Sequence, residues 1–395
     1  FLVIPMEVIQ VPFSFQKVLT NASSLIYYLD EAETIQQARS SQWGIEMDMK
    51  KRVSIKDVAK AAGVSVATTS YALNHVKSSR ISDSTASHVR EVARRMGYVP
   101  NLSARTMIKR KSQLIGVIIP QTGTTNEMDY RNPFYAEILS GIERVTRENG
   151  YHIMVSGTGP NQDYSNIAQM RQLDAVIIIG TYPSKFLDDI RQTGIPVVLV
   201  DAYVEDDAFH QVRTNDRQGG YLATEHLLEL GHRSIAFVSD AVRFPGVFEQ
   251  RYLGYRDALK AWGLVPEDAL RYECNVSYID SLRLAERIVR EGCKADAFFV
   301  AADVMALGLI HGFISSGVHV PEDYSVIGFD DMILASMSMP QISTVRQDIT
   351  RKGEVAAQVA MDAIKSDEKQ YICLPLTVVQ RGSTGPKSSR KETVL

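Results

Sequence analysis

The chain has little cysteine. Cys274, Cys293 and Cys373 are its only three, far apart and without C-x-x-C spacing. That argues against a disulfide framework and a cysteine zinc site, and it fits a reducing compartment. No run of about 18 apolar residues occurs, so no helix is expected to span a bilayer. The opening FLVIPMEVIQVPFSF is apolar, yet it carries Pro5, Glu7 and Pro12 and lacks the basic flank and small-residue cleavage site of a secretory signal. Nucleotide motifs are missing as well: GTGP at 157–160 has no third glycine at the required spacing, and there is no Walker loop. The two aspartates of FDD are neighbours with no convergent histidine or metal-ligand set, and no Ser-His-Asp set can be nominated. His226 and His232 read as capping or packing residues. The expectation is a chain with no catalytic activity, no metal and no cofactor.

What is present is unevenly distributed. Residues 1–48 hold 2 Lys and Arg against 6 Asp and Glu, residues 49–112 hold 14 against 3, and residues 113–395 hold 27 against 37. A compact basic module thus precedes a long acidic one, the electrostatic footprint of a nucleic-acid-binding head on a separate body. Charge alone would fit a solvated basic face equally well. The length of 395 residues suits two or three domains. Residues 1–48 match nothing downstream, and Met47 and Met49 stand just before the first strong helix signal. They read as an upstream extension, disordered or added by an over-extended reading frame, with a regulatory arm as the alternative.

Residues 49–99 are punctuated as three short helices. Ser54 with Asp57 forms an N-cap signal, Ile55, Val58, Ala59 and Ala62 recur at helical spacing, and Gly63 closes the first helix. Ser65 caps a second helix two residues later, and Ser82 a third, with Val89, Val92, Ala93 and Met96 on one stripe. The pattern is a helix-turn-helix. In the second helix, Thr69, Ala72 and Leu73 are expected inside, leaving an uncharged outer face of Val66, Ala67, Ser70 and Tyr71. Short side chains let a helix approach base edges in the major groove, where Val66 and Ala67 can meet a thymine methyl and Tyr71 can donate a hydrogen bond. Ser65, Thr68, Ser70 and Asn74 are of the types that bond to phosphates. The plainer alternative is that these hydroxyls only cap and solvate a small bundle.

A hinge or linker is expected over 100–112, where Asn101 can cap LSARTMIKR. Beyond it, the apolar strands LIGVII, HIMV, AVIII, PVVLV, SIAFV, AFFVA and SVIGF alternate with helical segments. The pattern predicts parallel sheets buried on both faces, arranged over 113–385 as two doubly wound α/β lobes with a ligand cleft between them. The polar end from Ser383, with 386–395 as a free tail, is expected to be loose.

Many segments in order, VSIKDVAKAAGVSVATTSYALN, RISDSTASHVREVARRMGYVPNLSAR, NPFYAEILSGIE, LATEHLLELGHRSIAFV, RYLGYRDAL, MALG and VPEDYSVIGFDD, resemble the bacterial lactose-repressor and galactose-repressor family, over about Val53 to Gly382. The resemblance implies a cytoplasmic, nucleoid-associated transcriptional repressor: an all-α helix-turn-helix head, a hinge helix, and a body like the periplasmic sugar-binding proteins. It implies a homodimer on double-stranded operator DNA, controlled by a small-molecule effector, a sugar or sugar derivative, with no membrane partner. Val66, Ala67 and Tyr71 fall where the family reads bases. Asn101, Ala104, Arg105 and Met107 fall where its hinge helix enters the minor groove, with Met107 in place of the usual Leu wedge. Asp201, Arg251 and Asp330 fall on effector positions, and Tyr130 can reach over the cleft from a long first loop. A guanidinium with two carboxylates suits a polyhydroxylated ligand, although each residue alone would read as part of a surface ion pair. Ala302 stands where an Asn is usual. The rival reading, a solute-binding protein without DNA activity, needs export and leaves the basic head unexplained.

Overall fold

A computed structural model describes residues 53–73, 81–98, 111–120, 132–158, 173–180, 184–204, 206–241 and 246–387. The chain divides into two compact units, residues 1–100 and 101–395.

The first unit holds α1 (Ile55–Ala62), α2 (Val66–Leu73) and α3 (Asp83–Arg95). At the start of α1 the Ser54 hydroxyl accepts from the Asp57 amide while the Asp57 carboxylate accepts from the Ser54 amide at 2.8 Å. Two backbone donors that the helix leaves free are satisfied reciprocally. Gly63 ends α1 with φ 67°, a left-handed turn that a side chain would strain. The turn is short enough to bring α2 straight back across α1. Val58, Ala62, Ala72, Ala86, Val89, Val92 and Ala93 form the core the helices share. No single one of these helices buries enough to be stable alone.

The second unit contains two six-stranded sheets. The first joins β1 (Leu114–Pro120), β2 (His152–Thr158), β3 (Ala175–Ile179), β4 (Val197–Val200), β5 (His210–Thr214) and, from far along the chain, β11 (Tyr371–Leu374). Its order is β11-β5-β4-β3-β1-β2, parallel throughout. The second joins β6 (Ile235–Ser239), β7 (Arg271–Glu273), β8 (Ala297–Val300), β9 (Ser325–Asp330), β10 (Ser343–Gln347) and β12 (Leu376–Val379) in the order β12-β10-β9-β8-β6-β7. Only its β10–β12 edge is antiparallel. The helices are α4 (Pro133–Glu148), α5 (Ser184–Arg191), α6 (Asp216–Glu229), α7 (Val247–Ala261), α8 (Tyr278–Glu291), α9 (Asp303–Ser315), the short α10 (Ile333–Met337) and α11 (Ile349–Ala363). Every residue of β3, β4, β6, β8 and β9 is buried, which is why these strands read as unbroken apolar runs.

Five strands, β5, β7, β10, β11 and β12, have no counterpart in the sequence reading. HQVRT and STVRQ are polar except for one valine each and carry no apolar run to announce them. Four of these strands, in three crossings, define the architecture. The chain passes between the lobes from β5 into α6, returns from β10 into α11, and passes again from β11 to β12 through Pro375. Consequently α6 packs on the second sheet and α11 on the first. The end of the chain also differs from expectation. Ser383 and Thr384 are buried, the Ser383 hydroxyl donates to the Val326 carbonyl at 2.6 Å, and Lys387 pairs with Asp296 at 2.6 Å. Backbone pairing with the lobe, invisible in a polar sequence, anchors residues 383–387.

Helices α6 and α7 approach until side chains are excluded at the crossing. A Cβ on Gly254 would lie 1.9 Å from the Arg217 carbonyl oxygen, and one on Gly220 would lie 2.1 Å from that of Arg251. Gly254→Ala is therefore expected to destabilise the body by about 1–3 kcal/mol, as overpacking does. An unchanged midpoint in urea denaturation would contradict this close approach.

Candidate DNA-reading face and interlobe site

On α2 the division of faces follows the sequence reading. Thr69 and Ala72 are buried and Leu73 is half-buried, whereas Ala67 is exposed and Val66 and Tyr71 retain 43% and 39% of their accessible surface. The outward surface is uncharged and shallow. Ser65 and Thr68 already serve the helix start, with the Ser65 hydroxyl accepting from the Thr68 amide at 3.0 Å and meeting the Thr68 hydroxyl at 2.9 Å. Ser70 is half-buried. One residue the sequence reading missed is Arg90, whose Nε donates to the Ala72 carbonyl at 3.1 Å and so ties α3 to the end of α2. Asn74, the hinge residues Asn101, Ala104, Arg105 and Met107, and Tyr130 lie outside the described residues.

In the body, Asp201, Arg251 and Asp330 come together, and they are not surface groups: their exposures are 6%, 4% and 5%. Asp201 follows β4 and Asp330 ends β9, so parallel-sheet topology delivers both to the carboxyl edges of their sheets. Both take left-handed backbone angles, φ 55° and φ 120°, which cost a non-glycine residue about 1–3 kcal/mol each and cluster at functional sites. Arg251 lies in α7, held in place by the crossing at Gly220. Its Nε donates to Asp216 Oδ1 at 2.8 Å, its Nη1 donates to the Ala301 carbonyl at 2.6 Å and lies 3.7 Å from Asp330, and its guanidinium stacks 3.6 Å from the Phe329 ring centre.

Further members complete the set. Lys352, fully buried on α11, donates to both oxygens of Asp201 at 2.6 and 2.8 Å and to the Gln347 side-chain carbonyl. Gln347 in turn donates to Asp330 at 2.6 Å. Tyr203 donates to the second oxygen of Asp216 at 2.7 Å and receives the Asp216 amide at 3.1 Å. A continuous chain results, Asp201–Lys352–Gln347–Asp330–Arg251–Asp216–Tyr203. It starts on the first lobe, crosses to the second and returns. Asp303, also fully buried, accepts from the Thr344 hydroxyl at 2.7 Å and the Met332 amide at 3.0 Å beside it.

Asp216 escaped the sequence reading because β5, which precedes it, was not recognised. Lys352 left a signal that could have been read. It shares a helical stripe with Ile349, Ala356, Val359 and Ala363, all buried, so a charge on that stripe had to find a buried partner.

Burial dominates the electrostatics. It pushes the carboxyl of Asp201 up from its ordinary value against the pull of Lys352, and that of Asp303 well up, reinforced by the nearby charge of Asp330. Burial likewise raises Asp330 to about 6, opposed by Arg251 and by the hydrogen bond from Gln347. It opposes the charge on Arg251, but Asp216 and Asp330 outweigh it and hold the guanidinium protonated. The Tyr203 hydroxyl is raised by burial and by Asp216, so it stays a donor. Among the described residues no group of His, Cys, Asp and Glu could hold a metal ion, and no helix is long and apolar enough to cross a membrane.

Residues 54–101 match the family described as bacterial regulatory proteins, lacI family, and residues 224–384 match a periplasmic binding protein-like domain. Catabolite control protein A of Priestia megaterium is 32% identical over 339 residues, 84% of this chain and 99% of that protein. The chain belongs to the lacI family. The solved complex of the transcriptional regulator CelR with cellobiose is 26% identical with a TM-score of 0.63, covering 84% of this chain and 100% of that one. The Lac repressor dimer bound to operator and the anti-inducer ONPF is 24% identical with a TM-score of 0.73, covering 85% and 100%, and shows the common fold. Like its relatives in the lacI family, the chain is a DNA-binding transcriptional regulator whose operator binding is controlled by a small-molecule effector.

In this family member, folding favours the protonated form of Asp330. Its contribution to stability is complete below the unfolded carboxylate pKa near 3.8 and is lost as pH rises through about 6. The Tm of the wild type minus that of Asp330→Asn should fall between about pH 4 and about pH 7. A difference that stays flat or grows over that range would show that Asp330 is not held in this way.

Proposed function

We propose that the chain is a homodimeric repressor of the bacterial nucleoid, reading double-stranded operator DNA with α2 and a hinge and answering to a carbohydrate held between its lobes. In this reading residues 49–99 form the DNA-binding head, 100–112 the hinge and 113–385 the effector-binding body, and the protein is cytoplasmic and has no catalytic activity. Val66, Ala67 and Tyr71 read base edges. Ser65, Thr68, Ser70 and Asn74 position the head on phosphates, and Asn101, Ala104, Arg105 and Met107 enter the minor groove. Asp201, Arg251 and Asp330 meet the effector, with Tyr130 covering it.

The observation that carries the proposal is the buried set of carboxylates and cations where the chain passes between the lobes. A ligand that exchanges hydrogen bonds with that set changes how the lobes are joined, and control follows from its different affinity for the two arrangements. The cellobiose bound to CelR supports a carbohydrate. A partner copy is supported by Ile333, Met337 and Met339, which leave 62%, 77% and 82% of their surfaces exposed on and just after α10. Against the solute-binding alternative stand the basic head and its match to the family's DNA-binding segment.

Two measurements test the reading. In mobility shift with operator and non-operator duplexes, Tyr71→Ala should change which sequence is preferred, whereas Lys109→Ala, which removes one of the basic residues of 49–112 that attract phosphates without reading sequence, should weaken all duplexes alike and flatten the salt dependence by about one unit of slope. Equal effects from both would sink the division of roles. For the effector, Arg251→Lys keeps the buried charge but loses the planar fork, so the response of operator binding to cellobiose and other mono- and disaccharides should weaken about tenfold or more. An undiminished response would remove Arg251 from the site.

A further inference from the structure

We propose that residues 383–387 form a strap that acid releases: His226, in the last turn of α6, and His232, just beyond it, fasten the strap, and a proton gained by His226 lets it go. The device is independent of the DNA and effector readings above.

The strap lies across the starts of β9 and β10. The Val326 amide donates to the Ser383 carbonyl at 2.8 Å, the Ser343 amide to the Ser383 hydroxyl at 2.8 Å, the Gly385 amide to the Ser325 hydroxyl at 3.1 Å, and the Lys387 amide to the Leu230 carbonyl at 2.8 Å. Two imidazoles complete the fastening on successive strap residues. His226 Nε2 lies 3.0 Å from the Thr384 hydroxyl, which continues to the Ser343 hydroxyl at 2.8 Å. His232 Nε2 lies 3.1 Å from the Gly385 carbonyl, which can only accept. The strands so bound end at Asp330 and Gln347, so the strap backs both second-lobe strands that reach the interlobe set.

The surroundings leave a charge on His226 without a partner. Asp296, just before β8, already serves two groups: one oxygen lies 3.3 Å from His232 Nδ1 and the other 2.6 Å from Lys387 Nζ on the strap. Burial pushes the Asp296 carboxyl up, but its contacts with His232 and Lys387 outweigh this and hold it below its ordinary value, so it stays charged in mild acid. The end of α6, where a cation is normally welcome, is taken by Arg233, which donates to the Leu228 and His232 carbonyls at 2.8 Å each. On α6 itself Glu225 is engaged by Tyr221, and Glu229 is exposed. Burial, then the neighbouring His232, hold the His226 imidazole below its ordinary value near 6.5. Lifting the strap returns His226 to water. The open form therefore binds more protons than the closed one, and the fastening is complete above about pH 6.5 and weakens as pH falls through that value.

Hydrogen exchange on the full chain, corrected for intrinsic rates, tests this at about pH 7.5 and about pH 5.5. In the wild type, protection of the Ser343 and Lys387 amides should fall about threefold or more on acidification, relative to amides of β8. His226→Gln keeps an amide near the Nε2 position and cannot gain a charge, so its protection should be independent of pH over this range. Lys387→Met removes one facing cation and should move the wild-type loss to lower pH, a readout that holds even if His226→Gln folds poorly. Constant protection in the wild type, or a loss in His226→Gln as steep as in the wild type, would overturn the device.

Discussion

The body depends on charges buried where two lobes exchange chains. Segments that cross between the sheets carry Asp216, Gln347 and Lys352, and the strand ends beside them carry Asp201 and Asp330. Taking such groups out of water is costly, and each attraction regains that cost only when geometry and the remaining hydrogen bonds are complete. Here they are nearly so: cation meets carboxylate, amide bridges carboxylate to ammonium, and a tyrosine hydroxyl takes the outlying oxygen. A set this interdependent stabilises one arrangement of the lobes sharply and tolerates intermediate ones poorly. If, as proposed, effector control works by choosing between two lobe arrangements, that property matters more than net stability.

The apolar packing lies mainly within each lobe rather than between the two. Each lobe has cores on both faces of its sheet, built from unbroken strands such as Ala175–Ile179 and Ala297–Val300. Where the lobes meet, Val304, Met332 and Leu334 of the second pack against the core of the first, and the Ile333 amide reaches Glu137 of α4 at 3.4 Å. Such contacts are few beside the cores themselves. Strain at Asp201 and Asp330 adds to the sense of a site held in readiness, since left-handed aspartates persist only where their surroundings over-determine them.

The DNA-reading unit works on a different balance. Its core is small and made mainly of alanine and valine, and its geometry comes from caps and a turn: Ser54 with Asp57, Gly63, Ser65, Ser82. The outward face of α2 is left without charge; in the proposed reading, attraction comes from basic neighbours and discrimination from shape and a few polar atoms, so that affinity and preference fall to different residues.

Local signals determined much of this protein. Caps and helical spacing specified three head helices, the charge division separated head from body, and unbroken apolar strands specified parallel sheets, because each of these features acts within a few residues of itself. What lacked a local signal became legible only in three dimensions. Strands β5, β10, β11 and β12 are short and partly polar, and they are strands because neighbouring strands accept them, β5 and β10 on both sides and β11 and β12 at a sheet edge. Asp201, Arg251 and Asp330 could be nominated by resemblance, but their burial, and their partnership with Asp216, Gln347, Lys352 and Tyr203, required the chain to return between lobes over as many as 151 positions of separation. Sequence carries the periodicity that makes elements. Tertiary structure decided which charges leave water together, since that depends on contacts no local pattern encodes.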